Sequence, residues 1–187
     1  MPYPHFASVI RHLWQPTELQ MSPHIYAILD AARNAQIYLR LFGSDSEYCC
    51  LYRGELPSEL AEVAPYLVTL EQHAPYTSWL MSQGWGDSWG IFLESSASLN
   101  ALRRHFRRFL MVYDEEGKSL YFRYYDPRVW RVYLPTCNAA ELQAVFGPVS
   151  RYCIEGEDSD TLLDYACVDG QLTQRSVLLA TAMRPLV

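Results

Sequence analysis

The chain has 187 residues, a length that suits one domain or one domain with a small second lobe. Half of the residues are hydrophobic and 14% are aromatic, which excludes wholesale disorder because such a chain can bury a large core. The formal net charge of -6 argues against a general nucleic-acid binder, which needs a basic surface to replace the counterions of the phosphates.

The cysteines and the N-terminal sequence indicate a reducing compartment. There are five cysteines, none in a CxxC pair, so we predict neither a zinc site nor a disulfide framework. The sequence opens Met1-Pro2-Tyr3-Pro4, without the basic region of a secretory signal. No apolar run approaches the roughly eighteen residues of a membrane helix. We therefore expect a cytoplasmic protein with no direct membrane insertion.

Strand and helix patterns alternate irregularly in the first half of the chain. A loose helical spacing opens the sequence as far as Gln20 and is broken by Pro16. After it, the apolar runs and the Gly and Pro breakers predict strands at 25–29, 47–52, 65–70 and 89–94, and helices at 34–42 and 77–83.

The second half begins with the best helical pattern of the chain. Ser98 is a predicted N-cap, and Leu99, Leu102 and Phe106 recur on one face of the helix that follows. Further on, the pattern predicts a hairpin around 114–117 between strands 111–113 and 120–125, helices at 127–134 and 139–146, and a meander at 151–154, 162–168 and 171–177.

This order of elements predicts an α+β fold, with a mixed or mainly antiparallel sheet and helices packed on it. We expect a main lobe at residues 1–134 and a smaller C-terminal lobe at residues 135–187.

Motifs of known catalytic sites are absent from the sequence. It contains no GxSxG elbow, Walker loop, HExxH pair or GxGxxG turn. His5 and His12 could share a helix face and bind a metal, but two ordinary surface histidines explain the spacing more simply. We expect no catalytic residue, no metal and no cofactor. The alternative, a small hydrolase, requires a nucleophile beside one of the histidines at positions 5, 12, 24, 73 and 105.

Arginine is concentrated in one stretch of the chain. The sequence has fourteen arginines and one lysine, and seven of these arginines lie between residues 103 and 131. Arg104 and Arg108 oppose the apolar face of the helix after Ser98. They form either a solvated face or a docking surface for acidic groups, since the planar guanidinium pairs bidentately with carboxylates. A nucleic-acid-binding module is a third possibility, which the negative net charge disfavours.

Two aromatic runs are further candidates for a contact surface. Trp85 and Trp89 stand among three glycines, in a loop whose tryptophans either enter the core or face a partner. Asp126 is a predicted N-cap, with Pro127 at the first helical position and an arginine as its partner. Four aromatic residues could wall an exposed apolar groove between the lobes. The candidate partner-binding residues are Trp85, Trp89, Arg104, Arg108, Tyr124, Tyr125, Arg128, Trp130 and Tyr133.

The order of several short stretches resembles the effector-adaptor (effector chaperone) family of bacterial type VI secretion. Phe122 to Val129 (FRYYDPRV) is the most specific of them, and Ala31 stands where the family often has glycine. The other matching stretches are YAILDAA at 26–32, APY at 74–76, WGDSWGI at 85–91, LRRHFRRFL at 102–110, LP at 134–135 and FGP at 146–148. The last forty residues carry no family signature.

The resemblance implies a function that composition and spacing alone do not name. Members of this family bind a toxic effector before secretion, shield its hydrophobic N-terminal segment, and help place it on the VgrG spike. The expected partners are therefore a secreted effector protein and VgrG, with no nucleic acid.

Overall fold

In the computed structural model, which describes residues 5–15 and 24–179, strands from both halves of the chain form one antiparallel sheet. The strands of the described residues are β1 (His24–Asp30), β2 (Tyr48–Cys50), β3 (Pro65–Leu70), β4 (Gly90–Ser95), β5 (Met111–Tyr113), β6 (Ser119–Tyr121), β7 (Val149–Glu155), β8 (Thr161–Val168) and β9 (Gln171–Leu178). Seven of them pair in the order β2-β3-β1-β4-β7-β8-β9, and β5 and β6 form a separate ribbon.

The sheet is antiparallel at every pairing and is centred on β1. Ile28 of β1 lies opposite Leu67 of β3 on one side and Ile91 of β4 on the other. Together with the helices, this arrangement confirms the predicted α+β class and the mainly antiparallel sheet.

Helices cover both faces of this sheet. The helices of the described residues are α1 (Phe6–Leu13), α2 (Ala35–Phe42), α3 (Ser58–Ala61), α4 (Pro75–Gly84), α5 (Leu99–Phe106), α6 (Pro127–Tyr133) and α7 (Ala139–Phe146). Ile25, Ala27 and Leu29 of β1 share one core with α1, α2 and α4. Tyr26 and Ile28 point to the other face and pack with α5, α6 and α7. Burial on both faces explains why β1 is apolar at almost every position.

Aromatic side chains fill the core beneath α5, α6 and α7. The rings of Phe106 and Tyr124 stack with their centroids 5.9 Å apart, and Trp130 meets Tyr152 edge-on at 5.3 Å. The Tyr124 hydroxyl donates to Phe106 O at 3.1 Å and that of Tyr152 to Val145 O at 2.9 Å, whereas the buried Trp130 Nε1 has no hydrogen-bond partner among the described residues.

The expected C-terminal lobe is not a separate unit in the structure. Phe92 of β4 pairs with Cys153 of β7, and β8 and β9 extend the same sheet from there. A division near residue 135 therefore cuts through the core that α6 and α7 share. The local strand pattern at 151–177 is correct, but its attachment to β4 depends on residues more than fifty positions earlier.

The remaining differences concern short or terminal elements. Of the helix expected up to Gln20, the structure has Phe6–Leu13, and residues 16–23 lie outside the described residues. The one-turn helix α3 was not predicted, and it buries none of its residues. None of the helices in residues 5–15 and 24–179 is long and apolar enough to cross a membrane.

Candidate functional site

The end of β1 holds a buried carboxylate that is paired with a surface arginine. The Asp30 side chain accepts a hydrogen bond from Ala32 N at 3.2 Å and so begins the short turn after the strand. Its other oxygen accepts from Arg123 Nη2. Burial alone would lower the pKa of Arg123, but the Asp30 carboxylate raises it. The pair joins two distant parts of the chain, the strand end and the segment that precedes α6.

A second carboxylate–arginine pair lies at the start of α6. Asp126 is the N-cap and accepts from Arg128 N at 3.0 Å, and Pro127 occupies the first helical position as predicted. Arg128 also donates from Nε and Nη2 at 3.0 and 2.6 Å, which makes the ion pair bidentate. Burial by itself raises the pKa of Asp126, yet the hydrogen bonds from Arg128 hold it below its ordinary value.

These two pairs belong to one charged cluster. The pKa of Arg128 is raised first by Asp126 and also by Glu155 and Asp30, so these carboxylates lie near the same guanidinium. Arg33, Arg123 and Arg128 are exposed at this end of the sheet, and we name them the arginine rim. Buried carboxylates fix two of the three guanidinium groups and leave other N–H donors facing solvent. Such donors can bind carboxylates or backbone carbonyls of a partner.

The glycine-rich loop at 84–90 is held by a buried glutamate. Glu155 accepts hydrogen bonds from the backbone of Gly86 and Ser88, and burial raises its pKa to about 7. Trp85 Nε1 donates to Ser159 O at 2.8 Å, and the Trp89 ring packs 5.4 Å from Trp79. Both predicted contact tryptophans are therefore buried in the core that α1, α2 and α4 cover, and this loop does not present them to a partner.

The expected aromatic groove is also absent at the residues proposed for it. Tyr124, Tyr125 and Trp130 are buried in one core, and Tyr133 is partly buried against Phe122, with ring centroids 4.9 Å apart. Aromatic residues suit cores and contact surfaces equally well, so the sequence alone does not distinguish a buried core from the wall of an exposed groove. Here α6 covers its face of the sheet and turns these rings inward, which corrects their assignment to a surface.

The arginines of α5 lie at the surface, as predicted. Arg104 is exposed, and Arg108 is exposed with its Nη2 2.9 Å from Nδ1 of His105. Arg107 has a structural contact, because its guanidinium donates to the carbonyls of Cys50, Leu51 and Tyr52. We name the following set the α5 arginine face: Arg53, Arg103, Arg104, Arg107 and Arg108. Within the described part of the chain, none of these five forms an ion pair.

A buried cluster of His12, Cys153 and Asp164 could in principle hold a metal or carry chemistry. Their ligand atoms all lie within 4.8 Å of one another. Asp164 stands between the other two, accepting from the Cys153 thiol at 2.9 Å and contacting His12 Nε2 at 2.7 Å. The histidine is therefore bound to the carboxylate and is not hydrogen-bonded to the thiol, and burial raises the pKa of Cys153 well above its ordinary value.

The surroundings of this cluster oppose a cation as well. Arg151 Nη1 lies 3.6 Å and Arg175 Nη2 3.2 Å from the Asp164 carboxylate, so two guanidinium groups already neutralise it. The Arg151 guanidinium also donates to Leu13 O at 3.0 Å and pairs with Glu94. These contacts fasten α1 to β7 and β8, and we interpret the cluster as a structural connection.

Residues 25–144 match the model of a family described as a domain of unknown function (DUF4123). The chain belongs to this family. DUF4123 is a domain associated with type VI secretion. No curated protein and no solved structure matches the chain.

The DUF4123 match contains both carboxylate–arginine pairs and the α5 arginine face. Glu155, Cys153 and Asp164 lie beyond its end, although β7 and β8 complete the same sheet. The sequence pattern does not identify Asp30, Arg123 and Glu155 as members of a site. Asp30 could have been found, since a carboxylate that ends an apolar strand needs a partner, but the sequence does not show that Arg123 is that partner.

Proposed function

We propose that the protein is an adaptor that binds a type VI secretion effector and helps to load it onto the VgrG spike. Membership of the DUF4123 family supports the secretion system as the context. The effector, the spike and the adaptor role follow from the resemblance described above and are the content of the proposal.

The observation that carries the proposal is the α5 arginine face. In a chain of net charge -6, five arginines lie close together and none of them forms an ion pair within the described residues. Arginine sheds water more readily than lysine and is favoured at protein interfaces. A partner that brings carboxylates to this face would satisfy groups that the described chain leaves unpaired.

Two other functions are less well supported. The hydrolase alternative needs an activated nucleophile, and the Cys153 thiol is buried and bound to Asp164 instead. The nucleic-acid alternative needs an open basic stripe. Arg107 is committed to backbone carbonyls, and the acidic turn at 114–116 interrupts the basic stretch that runs from 103 to 131.

The test is affinity capture from the bacterium that encodes the chain, with the captured proteins identified by mass spectrometry. The wild-type protein should capture an effector and VgrG. Arg104→Glu should weaken effector capture, because Arg104 is exposed and the substitution reverses the charge that it offers to a partner. Arg11→Glu is the matched control, since Arg11 is also exposed on a helix but α1 packs on the opposite face of the sheet.

Equal capture by wild type and Arg104→Glu would remove the α5 arginine face from the binding site. Failure of the wild-type protein to capture either partner would overturn the adaptor function itself.

A further inference from the structure

The ribbon of β5 and β6 exposes apolar side chains on both of its faces. Val112 lies opposite Leu120, and both are among the exposed large hydrophobic residues. Tyr113 and Tyr121 are 73% and 70% exposed. The ribbon pairs with no other strand of the described residues, so each strand has an open outer edge. A ribbon of two short strands is marginally stable alone. Its open edges carry unpaired backbone N–H and C=O groups that can pair with a further strand.

The base of the ribbon adjoins the α5 arginine face. The ring of Tyr121 lies 6.1 Å from that of Tyr52, and the Tyr52 carbonyl accepts a hydrogen bond from Arg107. Arg53 follows Tyr52 directly in the chain. The tyrosine face of the ribbon, with Tyr121 and its opposite residue Met111, therefore faces towards the arginines. Val112 and Leu120 point to the other face, since side chains alternate along a strand.

The arginines beside the ribbon are crowded against one another. Burial lowers the pKa of Arg107, and the neighbouring charges of Arg103 and Arg53 lower it further. Arg103 lies in the last turn of α5 and Arg107 is its C-cap residue, four positions on, a spacing at which like charges destabilise a helix. The Nε of Arg103 is buried and has no hydrogen-bond partner in the described residues. A carboxylate placed here would relieve the repulsion between the arginines. It would also accept a hydrogen bond from Arg103, for which the described chain provides no acceptor.

We propose that an open edge of the β5–β6 ribbon binds an extended segment of the effector in which apolar residues alternate with Asp or Glu. This inference rests on the proposed adaptor function and specifies the chemistry of its partner. The segment adds a strand to the ribbon through backbone hydrogen bonds. Its apolar side chains pack on the face of Val112 and Leu120, and its carboxylates reach Arg53 and Arg103 on the other face. The segment needs alternating apolar and acidic residues because successive side chains of a strand point to opposite faces, one apolar and the other beside the arginines.

The charge of the ribbon's own turn distinguishes this occupant from an anionic membrane. Asp114, Glu115 and Glu116 stand at the tip, with Lys118 as the single basic residue of the turn. An acidic tip is repelled by anionic lipid headgroups, so the ribbon is poorly suited to enter such a surface. An extended peptide that lies along the strands avoids the tip and reaches the arginines at the base.

The direct test is isothermal titration of the full chain with synthetic peptides of about eight residues, a length that spans one strand. A Val-Glu repeat should bind, and a Val-Lys repeat should bind at least about tenfold more weakly. A Val-Glu repeat with alternate amides N-methylated should also lose about tenfold, because strand pairing needs those amides. Arg103→Glu should weaken binding of the Val-Glu peptide, whereas the distant Arg11→Glu should leave its affinity unchanged.

Two results would overturn this inference. One is equal affinity for the Val-Glu and Val-Lys peptides. The other is binding to phosphatidylglycerol vesicles, or to a mixed-sequence single-stranded DNA, without binding to the Val-Glu peptide.

A second experiment separates this inference from the adaptor function. The double substitution Val112→Thr and Leu120→Thr places residues of high strand propensity at both positions, and circular dichroism checks that the fold is retained. In affinity capture this variant should lose most of the effector and keep VgrG. Full retention of the effector would reject the ribbon as the binding edge while leaving the adaptor function intact. A wild-type protein that captures no effector rejects the adaptor function whatever the peptides show.

Discussion

Arg123 and Asp30 form an ion pair in which only the acid is buried. The Asp30 side chain is 2% exposed, whereas that of Arg123 is 47% exposed. A buried carboxylate depends on its partner far more than a half-solvated guanidinium does, because water cannot replace the lost contact. The pair therefore stabilises the end of β1 and also keeps Arg123 at the surface in one orientation.

Removing the arginine of this pair should destabilise the protein more than removing an unpaired one. Arg123→Ala leaves the Asp30 carboxylate buried without its cation, and we expect a loss of about 1–3 kcal/mol, less than for a fully buried pair. Arg104→Ala is the control and should change the free energy of unfolding by less than about 0.5 kcal/mol. Urea denaturation measures both. Equal stability of the two variants would show that Asp30 is satisfied without Arg123.

Asp126 should act through stability rather than through partner contact. Asp126→Ala removes the N-cap of α6 and should cost about 1–2 kcal/mol, with Asp126→Ser recovering part of that loss. The pKa of Asp126 is lower in the folded protein than its ordinary value of 3.8, because Arg128 donates hydrogen bonds to the carboxylate. Its contribution is therefore complete above this value and is lost as the pH falls through the folded pKa. A variant that keeps its full melting temperature but loses the effector would identify a contact residue instead.

Glu155 should make the stability of the protein depend on pH in the opposite sense. Its pKa is raised from 4.5 to about 7 in the folded state, so the folded protein holds a proton that the unfolded chain releases. The contribution of Glu155 to the free energy of unfolding is largest below pH 4.5. It falls by roughly 3 kcal/mol as the pH rises to about 7. Glu155→Gln cannot ionise and should gain stability relative to wild type across this range.

Denaturation at pH 5, 6, 7 and 8 measures this difference. The gap between Glu155→Gln and wild type should widen with pH and become constant above about 7 to 8. The amide oxygen of the variant can still accept from Gly86, so the loop at 84–90 should remain in place. A gap that is independent of pH would mean that Glu155 is ionised throughout.

Gly90 should tolerate no larger side chain. A Cβ at this position would overlap the backbone carbonyl of Ile28 in the neighbouring strand, and the backbone cannot move without breaking the sheet. We expect Gly90→Ala to lower the free energy of unfolding by more than about 3 kcal/mol or to prevent folding. This loss exceeds that of most substitutions that overpack a core. At Gly43 the nearest atom to such a Cβ is 3.7 Å away, so Gly43→Ala is the control and should be nearly neutral. Similar melting temperatures for both variants would contradict the close strand approach.

The local elements could be predicted well from the sequence. Ser98 and Asp126 are N-caps as expected, Pro65–Leu70 is a strand at the predicted limits, and Asp169-Gly170 forms the turn between β8 and β9. Each of these depends on residues within a few positions, where capping and periodicity act. The strand expected at 120–125 is shorter and ends at Tyr121, because Tyr124 and Tyr125 turn into the core.

The relationships between distant segments could not be predicted. An apolar strand in a sheet that is covered on both faces loses its alternation, so neither the partner of β4 nor the direction of the tryptophans is visible in the sequence. The predicted site residues are wrong in part for the same reason. Arg104, Arg108 and Arg128 lie at the surface as expected, but the aromatic candidates fill the core and the pairing of Asp30 with Arg123 spans 93 residues.

The contact between His12 and Asp164 imposes an order on folding. These residues are 152 positions apart, and Arg151 reaches the carbonyl of Leu13 from the same late part of the chain. The ribosome makes α1 well before β7 and β8, the strands that hold it. Contacts of such sequence separation form slowly, since the long intervening loop must close first. Helix α1 is therefore among the last of the described helices to dock, and its docking marks a chain that has completed the sheet as far as β8.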